Sequence, residues 1–275
     1  YFLVLICSCA VILFIFPNKG REHMVKPLRV VSYNMGTIKG HVPDFKQVVN
    51  TLCKNENPDV LLLQEVPSVK TAKDISCYLG LPYTAFSTYH SNGEYGLAIL
   101  ARHPLSAEQV FRQHKYAIFA AEMELNGAQI LLCSVHLLRI RPLQVEKDKA
   151  VVSWIEFWQT LKSEIFYDNP RSHTAQNLIL WLNHHSVKKV IIGGDFNTFP
   201  FSKAVRIMNS VYDDCLWPSF DYLDNSYYKI QFPIRPRIDF IFHSSNLHCT
   251  SASVVDDSAG DHYPVRAVFD IDINR

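Results

Sequence analysis

The stretch Val190–Pro200 reads VIIGGDFNTFP. Its first three residues are apolar and β-branched and a glycine pair closes them, the pattern of a buried strand delivering its last residues to a sheet edge. Gly193 and Gly194 let backbone or substrate come close where a side chain would block. Asp195 and Asn197 are two residues apart, so on an extended backbone they share a face. A carboxylate beside an amide can bind a metal, a water or a phosphate oxygen, although an Asx turn after a strand explains the same residues when they are taken alone.

Working outward, other apolar segments end in the same way. Leu28–Met35 ends at Asn34, Val60–Val66 carries Gln64 and Glu65, and Ile130–Leu137 ends near His136. Arg237–Phe242 carries Asp239, and Gly260–Val265 sets Asp261 and His262 before another apolar run. Strands that each present an acid, amide or imidazole at a similar point imply one shared site rather than several unrelated turns.

The connections mix two kinds. Asp44 can cap a helix with Phe45, Val48, Val49, Leu52 and Cys53 on one face, ending before Asn57-Pro58. Val60–Val66 follows at once, which makes a strand–helix–strand unit. Asn126-Gly127 between Phe119–Leu125 and Ile130–Leu137 predicts a hairpin. Leu97–Ala101 reads as a further strand, whereas Ser68–Ser91 mixes a helical stretch with loop. Antiparallel and helix-covered strands therefore coexist in one α/β (α+β) domain.

Trp154, Phe157, Trp158, Leu161 and Ile165 predict an amphipathic helix, either packed on a sheet or acting as a lid or membrane-touching element. Ala175, Leu178, Ile179 and Leu182 mark the inward face of the next helix, and Ser202 caps a short one before Tyr212. Asp213–Pro236 reads as a long loop, a feature that is usually functional in a compact domain. His103, His184 and His185 read as structural histidines.

Seven motifs in order carry a resemblance: Y-N-M, Q-E-V, Tyr95–Leu105, S-V-H-L, G-D-F-N, I-D-F-I-F and G-D-H-Y-P-V. Together they resemble the endonuclease/exonuclease/phosphatase superfamily of metal-dependent phosphoesterases over residues 28–275. The resemblance implies a four-layer α/β/β/α sandwich of two mixed, mainly antiparallel sheets. It also implies hydrolysis of a phosphoester by in-line attack of water. Two positions depart from the family pattern: Gly260 stands where a serine is usual, and Gly36 stands where some nucleases carry an acid. S-V-H-L is more similar to the phosphatase, sphingomyelinase and deoxyribonuclease branches than to abasic-site nucleases, which carry an aromatic where His136 stands. The chain also looks similar to bacterial membrane-associated members.

Several carboxylates, two amides and two histidines, without a thiolate site, suit a hard cation, so Mg²⁺ (or Mn²⁺) is the expected cofactor rather than Zn²⁺. Glu65, with Asn34 beside it, is the expected metal ligand, and Asp261 would support the metal or a water. Asp195 would orient and deprotonate the attacking water, Asn197 would hold a phosphate oxygen, and His136 would donate to the phosphate. His262 and Asp239 would form an imidazole–carboxylate pair, with the acid fixing the ring and favouring its charge.

Net charge is +1, so no global basic field points to nucleic acid. Residues 1–17 include an uncharged apolar run, Phe2–Phe16, closed by Pro17. At ~1.5 Å per residue the run spans about 23 Å, short of a ~30 Å hydrocarbon core. The chain starts at Tyr1 rather than Met, so a fuller span is expected to continue upstream. A cleaved signal peptide and a buried core helix are the alternatives to an anchor; the poor cleavage site after Phe16 and the all-round apolarity favour the anchor. Residues 18–27 then read as a linker, and the protein is expected at a membrane through a single N-terminal span. The expected partner is a phosphoester substrate, a phospholipid or glycolipid head group, with DNA or RNA as the alternative. A non-catalytic phosphate- or partner-binding module is the alternative of another class; the filled polar positions argue against it. Cysteine spacing matches no metal or redox motif and gives no disulfide framework.

Overall fold

The computed structural model describes residues 25–36, 45–54, 57–89, 95–113, 116–139, 154–217, 224–227 and 237–272. Strand β1 (Val25–Asn34) runs parallel to β2 (Val60–Val66), with helix α1 (Phe45–Lys54) as the crossover. Helix α2 (Val69–Leu79) follows, capped at its start by Ser68, whose side chain accepts from the Thr71 amide. The chain then forms β3 (Tyr83–Thr88) and β4 (Gly96–Ala101), and β4 inserts between β2 and β3. The hairpin strands β6 (Tyr116–Leu125) and β7 (Ala128–His136) follow β5 (Leu105–Gln113). Asn126 and Gly127 both take positive φ at the turn between them, 53° and 83°, as an Asn-Gly turn demands.

Two helices, α3 (Trp154–Phe166) and α4 (Pro170–Asn183), carry the chain to β8 (Lys189–Asp195), which is parallel to β7. Helix α4 opens on a capping box between Asn169 and Ser172, with Pro170 in its first turn. Helix α5 (Lys203–Asn209), capped by Ser202, leads to the short β9 (Asp213–Asp214), then β10 (Asp239–His243), β11 (His248–Val254) and β12 (Val265–Asp272).

The strands form two six-stranded sheets ordered β11-β12-β1-β2-β4-β3 and β5-β6-β7-β8-β10-β9. The two share one connectivity: each holds one parallel pair, β1/β2 or β7/β8, inside otherwise antiparallel neighbours. Three apolar cores fill the spaces of a four-layer α/β/β/α sandwich. Leu62, Phe119, Ile191 and Phe269 pack between the sheets. Leu178, Phe196, Val205 and Phe240 pack under α4 and α5, and Val49, Leu61, Ile75 and Leu100 under α1 and α2. The glycine pair of the opening stretch has a steric cause. A Cβ on Gly193 would meet Leu62 Cδ1 of the facing sheet at 2.7 Å, and one on Gly194 would overlap the Val135 carbonyl of the paired strand.

Several expectations need adjusting. The strand β1 begins at Val25, so it takes in the last three residues of the expected 18–27 linker. The strands β3, β5, β9 and β11, which sequence reading passed over, all occupy sheet edges. Helix α3 is a packed element: Arg206 of α5 donates to the Ile165 carbonyl at 2.5 Å, and the buried Glu164 pairs with Arg171 of α4. Membrane localisation is corrected, because no helix among the described residues is long and apolar enough to cross a membrane. Phe2–Phe16 lies outside the described residues.

Leu62 is fully buried between the sheets. Its replacement by Ala should cost about 2–5 kcal/mol of unfolding free energy by cavity formation, read from urea denaturation. A loss below about 1 kcal/mol would mean that the sheets do not close over this position.

Candidate active site

The parallel pairs aim their C-terminal ends at one place, and Asp195 sits at its centre. In the register, His136 at the end of β7 lies beside Asp195 at the end of β8, and Asp239 at the start of β10 lies on its other side. From the opposite sheet, Asn34 at the end of β1 donates through Nδ2 to Asp195 Oδ2 at 3.0 Å. Asn34 Oδ1 accepts from the Gly36 amide at 2.9 Å. Two motif residues tie the sheets beneath this point. Gln64 Nε2 donates to Ser134 Oγ at 3.0 Å, and that hydroxyl donates to the Leu63 carbonyl at 2.9 Å.

Asp195 is almost wholly buried and its carboxylate is surrounded by donors. Oδ1 accepts from the Asn197 amide at 2.8 Å, and Oδ2 accepts from Asn197 Nδ2 at 2.9 Å. Asn197 holds φ at +49°, and its Nδ2 also donates to the Leu137 carbonyl at 3.0 Å. Both Nδ2 protons are thus engaged, one of them in holding Asp195. Burial pushes the Asp195 pKa up to about 6, opposed by the nearby imidazoles of His262 and His136.

The expected His262–Asp239 pair is present, with Nδ1 and Oδ2 2.9 Å apart. The Asp239 backbone amide donates to Ser226 Oγ at 2.9 Å, which fixes the start of β10. The Nε2 of His262 lies 3.8 Å from Asp195 Oδ2 and 3.9 Å from Asp261 Oδ1. Burial works against a charge on His262, but Asp239, Asp195 and Asp261 outweigh it and push its pKa up to about 9.

The last corner holds Glu65, His136 and Tyr89. Glu65 sits at a bulge in β2 with φ +55°, an outlier of the kind that clusters at functional sites. Its backbone amide donates to Tyr89 Oη at 2.7 Å, and Tyr89 Oη contacts His136 Nδ1 at 2.7 Å. Tyr89 thereby fixes the orientation of the His136 ring. Nε2 lies 3.6 Å from Asp195 Oδ2 and 3.9 Å from Glu65 Oε1. Tyr89 went unnoticed in the sequence because it belongs to no motif; only the fold brings it to His136. His184 and His185, read as structural, bond to the Leu180 and Trp181 carbonyls.

All eight expected site residues therefore converge, and both family departures fall at one contact. A Cβ on Gly36, whose φ is +66°, would overlap Asp261 Oδ1, and a Cβ on Gly260 would lie 2.7 Å from the Met35 carbonyl. The Met35-Gly36 turn thus presses directly on Gly260-Asp261, and Tyr33 Oη, accepting from the Gly260 amide at 3.1 Å, fastens the contact. An acid at position 36 has no room while Asp261 keeps this position.

The donor chemistry fits a hard divalent cation. Glu65, Asp195, Asp239 and Asp261 crowd one pocket, and Asp239 Oδ1 is buried with no hydrogen-bond partner among the described residues. Asp195, Asp239 and His262 bring ligand atoms within 4.8 Å of one another. His262 Nδ1 and Asp195 are engaged in the hydrogen bonds above. A cavity of about 740 Å³ lined by Arg206, Tyr212, Trp217 and His243 shares no residue with this site.

Fold and site together define a phosphoester-cleaving sandwich enzyme. The profile of the Endonuclease/Exonuclease/phosphatase family matches residues 31–262, and the chain belongs to that family. Its members are metal-dependent hydrolases acting on phosphoester bonds. No curated protein matches the chain in sequence. Among solved structures, an endonuclease/exonuclease/phosphatase from Bacteroides vulgatus superposes with TM-score 0.67 at 14% identity, covering 89% of this chain and 98% of that one. The human Nocturnin catalytic domain with bound sulfate gives 0.62 at 18% identity, covering 88% and 93%. A mannosyl-6-phosphatase from Bacteroides thetaiotaomicron VPI-5482 gives 0.62 at 15%, covering 88% and 99%. At these identities the likeness is one of fold.

His262 offers a direct check of the electrostatics. In the metal-free protein its ring should titrate near pH 9 by NMR, and Asp239→Asn should lower that value. Because the folded pKa is raised above the ordinary 6.5, the stability this charge contributes is complete below about pH 6.5 and is lost as pH rises through about 9. A midpoint at the ordinary histidine value in the parent would contradict the carboxylate-dominated environment.

Proposed function

We propose that the chain hydrolyses a phosphoester with Mg²⁺ as cofactor, by in-line attack of a water held at Asp195. The observation that carries this reading is the meeting of both sheets at one buried carboxylate: Asn34 and Asn197 fix Asp195 while His262 and His136 face it. A carboxylate with pKa about 6 is ionised at neutral pH and still basic enough to draw a proton from water. His262, with pKa about 9, is an imidazolium at neutral pH, and its Nε2–H points to where phosphoryl charge would develop. His136, its ring oriented by Tyr89, would donate to the phosphate from Nε2. Glu65 and Asp261 would hold the cation, with Asn34 between them and Asp195. A bound divalent ion supplies charge neutralisation and polarisation of a phosphoryl oxygen.

The expectation of a lipid head group rested on the N-terminal span and is not carried forward. Nuclease and phosphatase activities both fall within the reading. It outranks a non-catalytic module because a simple anion-binding site has no use for crowded buried carboxylates, which repel a phosphate.

Purified protein should release p-nitrophenol from bis(p-nitrophenyl) phosphate or p-nitrophenyl phosphate, or cleave plasmid DNA or RNA, when Mg²⁺ is supplied. EDTA should abolish the activity and Mg²⁺ should restore it. Glu65→Gln should raise the Mg²⁺ concentration for half-maximal rate by roughly tenfold or more, with little change in melting temperature, because one ionised ligand is lost at constant shape. Full activity in excess EDTA would sink the metal assignment, and inactivity on every phosphoester would sink the hydrolase reading.

A further inference from the structure

The segment Leu137–Arg139 leaves β7 beside the site on a backbone tied at several points. The Leu137 amide donates to the Asp195 carbonyl at 2.9 Å, and the Leu137 carbonyl accepts from Asn197. The Leu138 carbonyl accepts from Arg171 Nη1 at 3.1 Å, and Arg171 is locked to the buried Glu164, which also accepts from Thr198 Oγ1 at 2.8 Å. Arg139 therefore starts from a fixed position two residues from a carbonyl that touches the reaction machinery.

Its side chain is half-buried and turns toward the site. Nη2 donates to Tyr227 Oη at 3.0 Å, and the Tyr227 ring packs on the His262 imidazole with centroids 4.8 Å apart and planes tilted by 56°. The Tyr227 backbone pairs with His262 as well, so the ring is held from both ends. Arg139 makes no ion pair among the described residues, and its hydrogen bond goes to a neutral phenol. A guanidinium has five N–H donors, and a half-buried one with no carboxylate paired to it among the described residues is suited to an incoming anion. By contrast Arg171 and Arg237, the buried arginines among the described residues, are bound to Glu164 and Asp214.

We propose that Arg139, aimed by Tyr227, is a second anion-binding position next to the scissile phosphate, and that the substrate carries a further phosphate beside the one hydrolysed. The proposal rests on the phosphoester reading above. A guanidinium meets a phosphate through two parallel N–H···O bonds, which makes arginine the side chain of choice for recognising that group. The shared chemistry is a neighbouring phosphate, whether it belongs to a nucleotide or to a phosphorylated polyol.

Matched substrates test this. The p-nitrophenyl ester of thymidine 5′-phosphate, with and without an added 3′-phosphate, forms the nucleotide arm; an inositol bisphosphate against an inositol monophosphate forms the polyol arm. In at least one arm the parent should show a KM roughly tenfold lower for the substrate with the second phosphate, the usual range for a hydrogen-bonded charge. Arg139→Gln should collapse that ratio toward about one, and Arg139→Lys, which keeps the charge but not the fork, should retain part of it. No preference in either arm, or a preference that survives Arg139→Gln, overturns the inference while leaving the hydrolase reading intact. If no substrate is turned over, the hydrolase reading fails. Calorimetric affinities for thymidine 3′,5′-bisphosphate and thymidine 5′-phosphate then decide the inference, and equal values overturn it.

Discussion

The hydrogen bond from Asn34 to Asp195 joins the two sheets at the polar ends of β1 and β8, and the site is organised around it. Asp195 is buried, which by itself would favour the neutral acid. Amide donors from Asn34 and Asn197 and the imidazoles of His262 and His136 offset that cost, so the carboxylate remains ionised at neutral pH. Each of those partners belongs to a different segment. The fold can therefore present this arrangement only with both sheets in register and closely packed, and the Gly193-Gly194 pair and the Gln64–Ser134 tie meet that requirement.

The shared connectivity of the sheets explains why one carboxylate collects so many partners. A parallel pair releases both strands at the same end, and two such pairs facing each other put four strand ends in one place. Asn34 and Glu65 come from one pair, and His136 and Asp195 from the other. Asp239, Asp261 and His262 then enter from segments that lie next to these ends. The contact of Gly36 and Gly260 with their neighbours sets how closely the Asp261 side approaches, and it accounts for both departures from the family pattern by one steric cause.

The central strands were legible in the sequence because their apolar runs are buried on both faces, as in Val60–Val66 and Gly96–Ala101. The edge strands were not. His248–Val254 and Tyr83–Thr88 are half-exposed and polar along much of their length, so their pattern is close to that of loop. The eight expected site residues were legible because each stands in or beside a strongly apolar strand. Tyr89, Arg139 and Tyr227 were not, since their roles depend on distances between segments far apart in the chain. The membrane localisation read from the apolar N-terminal run is not met by any helix among the described residues, and the run itself lies outside them.

The most direct measurement is steady-state hydrolysis of bis(p-nitrophenyl) phosphate with Mg²⁺ by Asp195→Asn, His262→Ala and the double variant, each beside a melting curve. If the residues around Asp195 act as one unit, each single change lowers turnover by ~10²–10⁴-fold. The double variant is then no more than about tenfold worse than the weaker single, because groups that act together lose their effect together. Fully multiplicative losses, or an Asp195→Asn enzyme with unaltered turnover and an unaltered melting curve, would contradict the account.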